Sequence, residues 1–214
     1  MTSERGIVHF YSEAEEKLNI ATHAIGFVVS IFGAYLLLKK GDVHNTKILL
    51  CYIVYSLSLI SVYAASTLYH SAKDIGLRRK LNIVDHAAIF LLIAGTYTPF
   101  TLIALGGTLG WSVFAIVWLI AGVGVVLKLF FTGRYEKLST TMYVAMGWLA
   151  IFIVGPLLAA LPAAGFNLLA LGGGLYTVGA IFFSIKKIKF NHAIFHFFVL
   201  GGSLCHFLSI YLYV

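Results

Sequence analysis

The 214-residue chain is 60% hydrophobic and 11% charged, with a formal net charge of +7 and a mean hydropathy of +0.95. Soluble domains of this size carry about 25% charged residues, so the composition excludes a soluble globular domain, a nucleic-acid-binding module and a disordered chain. Seven helical crossings at about 20 residues each take up roughly 140 residues and leave only short loops; the chain reads as an all-α polytopic membrane protein, a seven-transmembrane helix bundle.

The chain opens MTSERGIVHFYSEAEEK, polar and without an apolar core before a small-residue cleavage site, so the first span is expected to stay as an uncleaved anchor. Residues 1–17 read as a cytoplasmic segment and 18–214 as one seven-helix domain. Glu13, Glu15 and Glu16 read as a solvated face before the first span. His9 and His44 lie in soluble segments and carry no signal.

Apolar runs then follow at 18–38, 48–69, 84–105, 111–131, 141–161, 166–185 and 192–214. Each is near the length that crosses hydrocarbon, and none shows the ten-residue alternation of a barrel strand. Two connections, SAKDIGLRRKLN and KKIKFN, are basic; GGTLG and PAAG are nearly uncharged. With the N-terminus placed in the cytoplasm, twelve of the fifteen Lys and Arg residues fall inside, Arg5 and Arg134 among them, and only Lys39, Lys40 and Lys47 outside. Positive-inside bias therefore predicts N-in, C-out. Cys51 and Cys205 both sit within apolar runs and read as buried small residues. The glycines within spans read mainly as helix-packing positions.

Ionisable residues inside spans are expensive, and each invites a functional reading. With this orientation, His70 ends the second span, Asp85 opens the third, and His192 and His196 occupy the first two turns of the seventh. All four reach one depth, and His23 falls there too. His192 and His196 are i and i+4 on one helical face, the spacing by which a helix offers two imidazoles to one metal ion. Such a pair alone suits packing or hydrogen bonding as well as ligation. His70 is the best-placed third imidazole, and three protein ligands with an open fourth position is the pattern of catalytic zinc. Asp85 suits the role of holding a water or acting as general base. Ser66, one turn before His70, suits orienting a ligand, a water or a substrate carbonyl. His206 is about 15 Å beyond His196 along the helix and reads as an interhelical hydrogen-bonding residue; His86 points about 100° away from Asp85.

Glu16-x-x-Asn19-x-x-Thr22-His23, Ser66-Thr67-Leu68-Tyr69-His70, Leu81-Asn82-Ile83-Val84-Asp85-His86, His192-Ala193-Ile194-Phe195-His196 and Gly202-Ser203-Leu204-Cys205-His206-Phe207 together closely resemble the hemolysin III branch of the progestin and adipoQ receptor family. The resemblance spans nearly the whole chain, and the short N-terminus is similar to that of the bacterial inner-membrane members, which implies a bacterial inner membrane as the location. It implies a zinc ion near the cytoplasmic face, held by His70, His192 and His196, with Asp85 on its water and Ser66 beside it as the catalytic pair. It also implies a membrane lipid as substrate or ligand: receptor relatives are linked to ceramide hydrolysis, and alkaline ceramidases belong to the wider superfamily. A zinc-dependent hydrolase of a lipid amide or ester leads. A receptor or sensor with structural zinc follows, and a haemolytic pore former or a transporter ranks lower.

Overall fold

A computed structural model describes residues 9–41, 44–131 and 136–214; Arg5 and Arg134 lie outside them. Among the described residues the elements are helical throughout. Helix α1 spans Glu13–Lys40, α2 Thr46–Ser71, α3 Ile75–Pro99 and α4 Gly107–Phe131. Helix α5, Glu136–Trp148, leads through a tight 3₁₀ stretch into α6, Val154–Ala160; α7 spans Ala163–Ser184 and α8 Asn191–Tyr213. Seven stretches are long and apolar enough to cross a membrane, α5 and α6 together supplying the fifth. This protein is therefore an integral membrane protein with an all-helical bundle.

Local chemistry sets the ends. Ser12, Asn45 and Asp74 cap α1, α2 and α3 by accepting from backbone amides three residues on, which satisfies one of the orphan donors that every helix start carries. The Asp74 cap has a consequence for the sequence reading. The basic stretch expected to be a connection is mostly helix: α3 starts at Ile75, nine residues before the apolar run, and carries Arg78, Arg79 and Lys80. A good cap followed by Leu, Arg and Lys, all strong helix formers, favours helix over loop there. At the other end of α3, Pro99 supplies no amide donor, and the chain widens into a π-type turn over Phe100–Leu105. Gly106 and Gly107 then take φ values of 63° and 53°, a left-handed pair that only glycine adopts readily, and the chain reverses into α4.

In space the helices follow the order α7, α8, α1, α2, α3, α4, with α8 packed against both α7 and α1. Although first and last in the chain, α1 and α8 are neighbours, and α2 packs on the other side of α1. The core at this junction includes Tyr52, Tyr55, Tyr63, Val199 and Ile210. The outward faces of α1 and α4 expose Val28, Phe32, Leu119 and Phe130, side chains suited to hydrocarbon. Cys51 and Cys205 are both free thiols.

Candidate metal centre

Helices α2 and α8 bring His70, His192 and His196 together. His70 lies in the last turn of α2; His192 and His196 occupy successive turns at the start of α8. All three are buried, at 3%, 9% and 1% exposure. One ring nitrogen of each lies within 4.8 Å of the others, and the Nε2 atoms of His70 and His192 are 3.0 Å apart. Two ligands at about 2.0–2.1 Å from a tetrahedral ion stand about 3.3 Å apart. The cluster is thus at the right scale to close on one ion.

The opposite nitrogen of each ring is engaged. His70 Nδ1 lies 2.7 Å from Glu16 Oε2, His192 Nδ1 lies 2.9 Å from the Tyr11 hydroxyl, and His196 Nδ1 lies 3.2 Å from Thr22 Oγ1. Two of these partners fix a tautomer. An ionised Glu16 carboxylate only accepts, and the Thr22 hydroxyl already donates to the Leu18 carbonyl at 2.8 Å. Protons on His70 Nδ1 and His196 Nδ1 satisfy both, which leaves each Nε2 with a lone pair. The Tyr11 hydroxyl holds His192 Nδ1 in place but can either donate or accept there, so it leaves the His192 tautomer open. Burial, with the nearby carboxylates, pushes the Tyr11 phenol above its usual pKa and keeps it neutral. Outer partners of this kind orient histidine ligands and raise their basicity, so the donor set fits a divalent ion that prefers imidazole, zinc among them.

A further layer holds Glu16. The Arg78 guanidinium pairs with Glu16 Oε1 and donates to the carbonyls of His70 at 3.2 Å, Ala72 at 3.1 Å and His9 at 2.9 Å. It is 1% exposed and sits between the rings of Phe10 and Tyr69, 4.3 and 4.6 Å from their centroids. One side chain therefore ties residues 9–10, the end of α2 and the carboxylate behind His70. Glu15 Oε1 accepts from the His192 amide at 3.3 Å, a carboxylate at a helix N-terminus where the backbone dipole favours it.

These contacts correct the reading of the three acids as a solvated face. Glu13 alone stays outside, paired with Lys17 at 2.8 Å; Glu15 and Glu16 turn inward because α8 and Arg78 offer them donors. The sequence reading also missed Tyr11, Thr22 and Arg78. The available signal was periodicity: the buried residues of α1 include Glu15, Asn19, Thr22, His23 and Gly26, a small and polar stripe at helical spacing that faces protein.

The remaining candidates divide. Asp85 and Ser66 are buried, at 9% and 2% exposure, with Ser66 beside the Asp85 carboxylate. Among the described residues no carboxylate joins the three histidines within the 4.8 Å that groups them. His86 Nδ1–H donates to the Asn82 carbonyl at 2.8 Å, one turn back on α3, and the same nitrogen lies 3.7 Å from Asp85 Oδ2. His23 stacks face to face on His196, centroids 3.5 Å apart. His206 donates from Nε2 to the Leu169 carbonyl of α7 at 3.1 Å, the interhelical bond expected of it.

A family model described as haemolysin-III related matches residues 11–207. Hemolysin-3 of Bacillus cereus is 47% identical over 201 residues, covering 94% of this chain and 92% of its own length. The Hemolysin-3 homolog of Bacillus subtilis (strain 168) is 46% identical, covering 93% and 94%. Monocyte to macrophage differentiation factor of Homo sapiens is 29% identical, covering 94% and 84%.

Proposed function

Because the chain belongs to the haemolysin III-related family, matched over residues 11–207, we propose that it is an inner-membrane, zinc-dependent hydrolase of a lipid amide or ester, with its N-terminus and metal centre at the cytoplasmic face. The observation that carries this reading is the convergence of three histidines whose Nδ1 atoms are all engaged from behind. His70, His192 and His196 would hold the zinc ion, which would supply Lewis acidity toward a carbonyl oxygen and toward a water. Glu16 and Thr22 keep the His70 and His196 rings in the ligating tautomer, and Tyr11 holds the His192 ring in place. Asp85 takes the proton from the attacking water and returns it to the leaving group, and the Ser66 hydroxyl beside it orients the carboxylate. Burial of both groups among the helices limits bulk water at the reacting carbonyl.

The test is release of fatty acid from lipid extracts by the purified protein in bilayer discs. Asp85→Asn is expected to lower turnover at least about 100-fold, within the range for a lost general base, while zinc content stays at the wild-type level. Turnover unchanged in Asp85→Asn contradicts the general-base role of Asp85. Zinc retained with no turnover from any lipid favours a structural metal in a receptor or sensor. Lysis of liposomes by the purified protein at low protein-to-lipid ratio would revive the haemolytic alternative, the activity in the printed name of its Bacillus relatives.

A further inference from the structure

Next to the histidine cluster, at the same end of the bundle, residues 9–12 and the α7–α8 connection line an open cavity of about 660 Å³. Tyr11 belongs to its lining and also hydrogen-bonds His192, so one side chain separates the cavity from the candidate metal centre. Lys187 and Lys189 line it as well, together with Lys186, whose Nζ lies over the Phe183 ring, 3.7 Å from its centroid. The one carboxylate in the lining, Glu15, is engaged by the His192 amide, and the cavity is cationic in balance. Phe190 adopts a left-handed conformation, φ 59°, which folds the connection back against residues 9–12 just before α8 begins. Phe10 and Phe190 add an apolar rim, 49% and 37% exposed, close to the starts of α1 and α8.

Exposed lysines beside exposed aromatic rings suit an amphiphile. The ammonium groups answer a phosphate as compact point charges, and the rings lie where an acyl chain must leave. A soluble phosphate compound gains nothing from the rings. We propose that this cavity binds the phosphate of an anionic membrane phospholipid and holds that lipid beside the metal centre. The proposal rests on the hydrolase reading for its purpose, and names the lipid class presented to that centre.

Full-length protein in neutral detergent is titrated by calorimetry with dihexanoyl phosphatidylglycerol, with phosphatidylcholine of the same chain length, and with inorganic phosphate. One equivalent of the anionic lipid is expected to bind saturably, with phosphatidylcholine at least about tenfold weaker. The Lys186→Gln, Lys187→Gln, Lys189→Gln triple variant is expected to lose at least about tenfold in affinity while keeping its metal content, and the matching arginine triple variant is expected to bind as wild type does. Equal binding of both lipids overturns the proposal. So does an unchanged glutamine variant, which reduces the lysines to their topological role. Inorganic phosphate binding as tightly as the lipid assigns the cavity to a soluble ligand and overturns the lipid source. Should the glutamine variant fail to fold, the lipid comparison on wild type decides alone. Binding is read directly, so the result is independent of whether the centre hydrolyses anything.

Discussion

Glu16 faces two ways, with one oxygen on His70 Nδ1 and the other on Arg78, and its removal separates orientation from ligation. Glu16→Gln keeps the shape but loses the charge that holds the His70 proton on Nδ1. Metal affinity is expected to fall about 10- to 100-fold, measured by competition with a chelator of known affinity; unchanged affinity means that Glu16 does not orient the ligand. Arg78→Gln leaves Glu16 half-buried without its cation and frees three carbonyls. A stability loss of order 3 kcal/mol is expected, read as a lower melting temperature in detergent. Arg78→Lys is not expected to rescue it, because a single ammonium cannot span the same fork of acceptors between two rings. The three histidines were legible from their types, spacing and depth. Glu15 and Glu16 were not, because three acids at the head of a helix also read as complements to its dipole. Their true partners stand at positions 78 and 192, and only the fold brings these close.

At the scale of elements, α1 supplies no metal ligand among the three histidines, yet it carries Glu16 and Thr22, two of the three outer partners. Its polar face was visible as a periodic stripe, but a stripe does not say what it meets. The early start of α3 was hidden by charge: a basic segment between apolar runs looks like a loop until Asp74 is recognised as a cap. Packing of α7 on α8 depends on close approach. A Cβ at Gly172 would run into the His206 imidazole and the Gly202 carbonyl, and His206 is held in place by its bond to Leu169. Gly172→Ala is therefore expected to cost about 1–3 kcal/mol by overpacking, seen as a lower melting temperature with metal content unchanged. An unshifted melting temperature would show that the two helices separate easily there.

For the whole molecule, the number of spans was legible because hydrocarbon demands long, internally satisfied helices. Order in space was not: α8 beside α1 follows from packing, and that contact assembles the centre. Topology rests on the proposed N-in arrangement, which a reporter that is active only outside the cytoplasm tests. Fused after Val214 it is expected to be active, and fused before Met1 inactive; the reverse pattern moves the centre to the opposite face. The central claim is that the three histidines hold one zinc ion, and elemental analysis of the purified protein tests it most directly. About one zinc per wild-type chain, lost from folded His192→Ala and His196→Ala, is the predicted result. A folded wild-type chain purified without chelators that carries no zinc, or variants that retain it in full, would contradict the account.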